Sequence, residues 1–198
     1  MIRTYLLDVG FGNLGTLEAL LIEVSNYQGR VDNVLDLDTQ DQALFVPGNG
    51  NWTTYCRAVA ELDGFLNDEK DFNFFGICGG MQILFDRSDE GAEKGLNIYD
   101  GECKFIRGST EPNVGFRHLP LIGSVYFLNN YGVEKCSVNN LSDEVIEWGT
   151  YEILDKIFVS YIFGSRFSGC QFHPEVSSLA GKKFIQRYLA FVEKKSCR

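Results

Sequence analysis

The chain has 198 residues, of which 44% are hydrophobic and 23% charged, enough to bury one sizeable core in a single domain spanning 1–198. No run approaches the roughly 18 uncharged apolar residues of a membrane span, and Asp8 comes too early for a signal peptide's apolar core, so a cytoplasmic location with no membrane contact is expected. Eighteen Lys and Arg against 27 Asp and Glu leave a net charge of −9, the wrong sign for a nucleic-acid partner.

Six cysteines, at 56, 78, 103, 136, 170 and 197, form no C-x-x-C pair, and two histidines are too few to complete a metal site. They read as free thiols of a reducing compartment, and neither metal nor cofactor is expected.

The first half alternates short apolar runs with helical patterns, the mark of strand–helix–strand units in a mostly parallel sheet, which makes the class α/β. Arg3 to Asp8 reads as a strand. Leu14 to Val24 reads as a helix with Leu17, Leu20, Leu21 and Val24 on one face, capped by Asn13. Val31 to Leu35 and Ala43 to Val46 are further strands, the second stopped by Pro47-Gly48. Trp52 to Leu66 is a second helix and Phe72 to Ile77 a buried strand, with a helical pattern over Met81, Ile83, Leu84 and Phe85 after it. Beyond Gly91 the pieces turn short and aromatic, as in antiparallel strands (Gly123 to Leu128, Lys156 to Phe163), before a last helix over Lys182 to Val192.

Gly76-Ile77-Cys78-Gly79-Gly80 sits between the buried strand and the helical pattern after it. G-x-nucleophile-x-G is the nucleophile elbow: the central residue occupies a strained turn where side chains two positions either way would collide. Cys78 stands in the nucleophile's place. A helix amino terminus favours thiolate there, and the Gly79 N–H points where an oxyanion would form. On the elbow alone, a structural cysteine beside a glycine turn is the alternative.

A base for Cys78 is offered 95 residues further on, by Gln171-Phe172-His173-Pro174-Glu175. Pro174 biases His173 to an extended conformation, in which residues two apart share a side, so Glu175 can orient the imidazole. The order Cys, His, Glu resembles the class I, or triad, glutamine amidotransferases. Further motifs resemble the glutaminase subunit of imidazole glycerol phosphate synthase: Asp8-Val9-Gly10-Phe11-Gly12-Asn13, Pro47-Gly48-Asn49-Gly50, Ser88-Asp89-Glu90-Gly91, Lys94-Gly95-Leu96, Pro112-Asn113-Val114-Gly115-Phe116, Tyr126 to Tyr131, and His173-Pro174-Glu175-Val176-Ser177-Ser178.

The resemblance implies a class I glutamine amidotransferase fold, with a mostly parallel central sheet, flanking helices and an antiparallel C-terminal portion. It implies hydrolysis of L-glutamine, with Cys78 attacking the amide, His173 moving the proton and Glu175 holding the ring. The oxyanion would meet the Gly79 N–H and a backbone N–H from Gly48, Asn49 and Gly50, a loop otherwise read as a strand-ending turn. By family analogy Gln82 and Glu90 would hold the glutamine amino-acid moiety, with Asn130 and Tyr131 adding backbone contacts. Ammonia would pass to a separate (β/α)8 barrel subunit, paired as a heterodimer, that closes the imidazole ring. Nothing in the sequence resembles a P-loop or Rossmann fingerprint that could do that step.

Five places depart from the family pattern. Gly79 replaces an apolar residue, Asn49 a valine, Asn113 a histidine, Phe116 and Arg117 a tryptophan and an asparagine, and Val176 a lysine. The extra glycine is expected to loosen the elbow by about 0.5–1 kcal/mol. Departures facing the partner leave open a paralogous glutaminase feeding a surface-polysaccharide sugar amidotransferase, and a non-catalytic regulatory subunit is a third reading.

Overall fold

The computed structural model describes residues 2–10, 14–32, 42–66, 72–106, 113–138 and 145–196. Four strands of the first half, β1 (Arg3–Leu7), β2 (Asn26–Val31), β3 (Gln42–Val46) and β4 (Phe72–Ile77), pair in parallel. Between them run α1 (Leu14–Val24) and α2 (Trp52–Leu66). After β4 come α3 (Gly79–Gln82), β5 (Phe85–Ser88), β6 (Tyr99–Phe105), β7 (Asn113–Leu119), β8 (Gly123–Asn129) and β9 (Tyr131–Val133). The chain then forms β10 (Val145–Ile153), β11 (Lys156–Gly164), β12 (Phe167–Cys170) and α4 (Ser178–Ser196).

The main sheet has the order β10-β11-β12-β4-β3-β1-β2. It is parallel from β2 to β12 and antiparallel over β10-β11-β12, as the resemblance implies. Its central strands are buried on both faces, which is why they read as unbroken apolar runs. Period-two alternation then divides each strand between two cores: in β3, Ala43 and Phe45 join α1 and α4, while Leu44 and Val46 join α2 and α3. On the first face α4 seats Phe184 and Tyr188 among Phe45, Phe75, Phe163 and Phe172, with Phe75 and Tyr188 ring centroids 4.3 Å apart. On the second, the small sheet β5-β6-β9 covers the elbow with Phe85, Tyr99, Cys103 and Val133. A separate β7-β8 pair carries exposed Val114, Phe116 and Leu128.

Three expected elements differ. The helix expected through Phe85 ends at Gln82, because Phe85 pairs with Tyr99 as the first residue of β5. Met81, Ile83, Leu84 and Phe85 are all fully buried, and a run buried on every side carries no period to separate helix from strand. The second strand is Asn26–Val31 rather than starting at Val31, recruited by pairing to β1 despite its polar residues. The last helix extends four residues beyond Lys182 to Val192 at each end. The cap expected at Asn13, the Phe11, Gly12 and Pro112 motif positions, Asn33 to Leu35 and Cys197 lie outside the described residues.

Candidate active site

Three adjacent parallel strands, β3, β4 and β12, end level with one another: Val46 pairs with Gly76 and Cys170 with Ile77. Their C-terminal loops therefore emerge side by side, where α/β sheets place their sites. The loop after β3 is Pro47 to Asn51, that after β4 begins with Cys78, and that after β12 carries Gln171 to Glu175.

Cys78 has φ 50° and ψ −108°, a conformation a non-glycine residue rarely adopts, held by its N–H donating to Cys170 O at 2.7 Å and its carbonyl accepting from Met81 and Gln82 N–H at 3.0 Å. The flanking glycines are there for room. A Cβ on Gly76 would fall 2.0 Å from Gly80 O, and one on Gly80 2.7 Å from Val46 O.

His173 is extended (φ −99°, ψ 95°) as Pro174 dictates, and its Nδ1 lies 2.8 Å from Glu175 Oε1 with both side chains buried. Glu175 does not reach it from an extended strand, however. Residues 174–176 form a 3-10 turn, and the turn brings the carboxylate back to the Nδ1 edge of the ring. Ser177 fixes this hairpin-like segment: its Oγ donates to His173 O at 2.5 Å and accepts from Tyr126 N at 2.9 Å, while His173 N donates to Tyr126 O at 2.8 Å. With Nδ1 engaged, buried Nε2 is left for Cys78. The sulfur lies outside strict hydrogen-bond geometry for Nε2, yet close enough to act on its charge. Burial alone would lower the imidazole pKa, but Cys78 and Glu175 outweigh it and raise it to about 10.

A cavity of about 420 Å³ opens before Cys78, and its lining includes every substrate-contact residue expected from the sequence: Gly48, Asn49, Gly50, Gly79, Gln82, Glu90, Asn130 and Tyr131. Gln82 Nε2 donates to Tyr131 O at 2.8 Å and to Gln171 Oε1 at 3.0 Å, so only its carbonyl oxygen remains to accept from a ligand. Glu90 Oε2 accepts from Trp52 N at 2.9 Å; burial pushes its carboxyl up and that N–H partly opposes it. The Asn130 and Tyr131 carbonyls already accept from Ile106 N–H and from Gln82 and Asn129 amides.

One residue beside Cys78 escaped the sequence reading. Gln171 Nε2 lies 3.4 Å from Cys78 Sγ. Its orientation is fixed by logic of donors and acceptors: Tyr131 O can only accept, so Gln82 presents nitrogen, so Gln171 presents oxygen to Gln82 and nitrogen to sulfur. A polar residue amid the buried run Cys170 to Phe172 was the available signal. The departures Arg117 and Asn113 join this network from the β7 side. Arg117 Nε donates to Asn113 Oδ1 at 2.7 Å, and Asn113 Nδ2 to Asn129 Oδ1 at 2.9 Å. Val176, the last residue of the 3-10 turn, is exposed. Cys56, Cys78, Cys103, Cys136 and Cys170 are free thiols.

Comparison with known proteins places the chain in a family. Residues 12–190 match the family model described as glutamine amidotransferase class-I. The chain is 31% identical to the imidazole glycerol phosphate synthase subunit HisH of Synechococcus sp. (strain CC9605), covering 94% of this chain and 93% of that one. To the HisH subunit of Exiguobacterium sibiricum it is 32% identical over 92% of each. A crystal structure of a glutamine amidotransferase superposes with TM-score 0.69 at 16% identity over 96% of this chain and 98% of the other, and the PurLQS structure from Thermotoga maritima gives 0.59 at 14%, over 96% and 99%. The chain belongs to the class I glutamine amidotransferase family, among relatives of the HisH type.

Proposed function

We propose that the protein is the glutaminase subunit of an imidazole glycerol phosphate synthase. It would hydrolyse L-glutamine to glutamate and pass ammonia to a (β/α)8 barrel cyclase subunit, which makes imidazole glycerol phosphate and an aminoimidazole carboxamide nucleotide in histidine biosynthesis. The observation that carries this is Cys78 at a strained strand–helix turn, beside a His173 whose Nδ1 is held by buried Glu175.

In this reading His173 Nε2 takes the Cys78 thiol proton, the Sγ thiolate attacks the side-chain amide carbon, and the carbonyl π electrons move to oxygen. The oxyanion is met by the Gly79 N–H and a backbone N–H of the Gly48–Gly50 loop. As the C–N bond breaks, the Nε2 proton of His173 goes to the departing nitrogen and ammonia leaves a γ-glutamyl thioester. His173 then takes a proton from water, whose oxygen attacks the thioester, and thiolate and glutamate are released. Gln82 and Glu90 would hold the amino-acid end of glutamine, with Asn130 and Tyr131 completing that wall of the cavity. A cytoplasmic location accords with the free thiols and with the finding that no helix among the described residues is long and apolar enough to cross a membrane.

The test is Cys78→Ala in the complex with the barrel subunit. Synthesis from glutamine is lost while synthesis from an added ammonium salt persists; glutamate release at the original rate would refute the assignment. A second reading, ammonia supply to a surface-polysaccharide sugar amidotransferase, draws on β7, where Asn113, Phe116 and Arg117 depart together and Phe116 is 61% exposed. Co-purification with a histidine-pathway barrel rather than a sugar-modifying one separates the two.

A further inference from the structure

Gly79 follows the nucleophile where the family commonly has an apolar side chain, and its space is not vacant. A Cβ on Gly79 would lie 2.5 Å from Cε2 and 2.9 Å from Cδ2 of Tyr55. Real side chains do not approach so closely, so a residue with a Cβ at 79 and the ring at 55 exclude one another. The expected loosening of the elbow is therefore offset by packing: Gly79 is buried against a ring that is itself fully buried.

The same tyrosine holds the loop that faces the nucleophile. Tyr55 stands in the first turn of α2, and its hydroxyl donates to Pro47 O. Burial, with the nearby charges of Cys78 and Glu175, pushes the phenol up, so the hydroxyl stays a donor throughout the working pH range. At the other end of the loop Asn51 caps α2, its Oδ1 accepting from Thr54 N at 2.9 Å and its carbonyl from Tyr55 N at 3.1 Å. Between these anchors lie three residues, of which Asn49 and Gly50 are exposed. Gly48 is pressed against the nucleophile, since a Cβ there would fall 2.6 Å from Cys78 Cβ.

We propose that Tyr55 is a positioning residue for the oxyanion loop: its ring occupies the side-chain space left by Gly79, and its hydroxyl fixes the Pro47–Gly48 peptide. Rotation that aims an N–H at the oxyanion is then confined to the peptides between Gly48 and Gly50. This rests on Cys78 being the nucleophile, but it makes a separate demand. Positions 55 and 79 must trade size, and the 55 hydroxyl must act on turnover through the loop and not through the thiol.

The experiment uses the full chain with saturating glutamine, following glutamate release alongside iodoacetamide alkylation of Cys78 resolved by peptide mass spectrometry. Alkylation needs the sulfur but no oxyanion site. Tyr55→Phe keeps the ring and loses the donor, so kcat falls about tenfold with KM and Cys78 alkylation each within about twofold, as for a lost transition-state contact. Gly79→Ala, which meets the ring, falls about a hundredfold or more in kcat and melts earlier. Tyr55→Leu combined with Gly79→Ala restores the melting temperature and recovers at least tenfold of that loss, stopping at the level of Tyr55→Phe because the donor is still absent. An unchanged kcat in Tyr55→Phe, a parallel fall in alkylation, or a double variant no better than Gly79→Ala overturns the proposal. Glutamate release by Cys78→Ala would instead overturn the reading of the site itself.

Discussion

Replacing Glu175 by glutamine removes the charge beside His173 Nδ1 while keeping the shape. In the folded protein the His173 pKa is raised from 6.5 to about 10 against the pull of burial, which at about 1.4 kcal/mol per tenfold is of the order of 5 kcal/mol. Two groups, Cys78 and Glu175, supply it. The carboxylate's share is taken as about 1.5–3 kcal/mol, the worth of a hydrogen bond to a charged group. The sign follows from the direction: a folded pKa above the unfolded one stabilises fully below pH 6.5, and that stability is lost as pH rises through about 10. In the proposed mechanism the imidazolium is also the acid that protonates the departing nitrogen, so turnover falls over the same alkaline range. In Glu175→Gln the alkaline limb of glutamate release moves down by about 2 pH units, with a loss of about tenfold near pH 9 that deepens toward a hundredfold above pH 10 and nearly vanishes near pH 7. Glutamate release and urea unfolding measured from pH 6 to 10.5 check this. The stability gap between the two proteins should be widest near neutral pH and close toward pH 10. An alkaline limb at the same pH in both proteins, or a gap that stays constant across the range, would refute the reasoning.

Gly76→Ala would drive a methyl to 2.0 Å from the Gly80 carbonyl, a backbone group with no room to yield, and should cost about 3 kcal/mol or more. Calorimetry would then record a drop of about 6–12 °C together with loss of turnover. Gly15→Ala, in an open position on α1, provides the control and should leave the melting temperature unchanged or raised. Gln171→Met keeps the volume but removes the amide that donates to Cys78 Sγ, and kcat should fall about tenfold, as for one lost hydrogen bond of about 1–1.5 kcal/mol. Steady-state kinetics with glutamine decide it, and an unchanged kcat would reduce Gln171 to packing.

What the sequence determined is what depends on residues near one another in the chain. The helices Leu14–Val24 and Trp52–Leu66 and the strand Phe72–Ile77 were legible to the residue, because periodicity and turn chemistry are local. Cys78 was legible as a strained position because Gly76 and Gly80 flank it, and His173 as an oriented imidazole because Pro174 and Glu175 adjoin it. Tertiary structure decided what depends on residues far apart. It set the 3-10 turn that brings Glu175 to the ring, and it ended α3 after one turn because Phe85 is needed against Tyr99. It also turned the Gln171 amide toward a sulfur 93 positions away, and laid Tyr55 in the space Gly79 leaves. A glycine in a sequence announces only that a side chain is missing. Which neighbour fills the gap depends on how the strands align, and here β3, β4 and β12 ending level is what assembles the site.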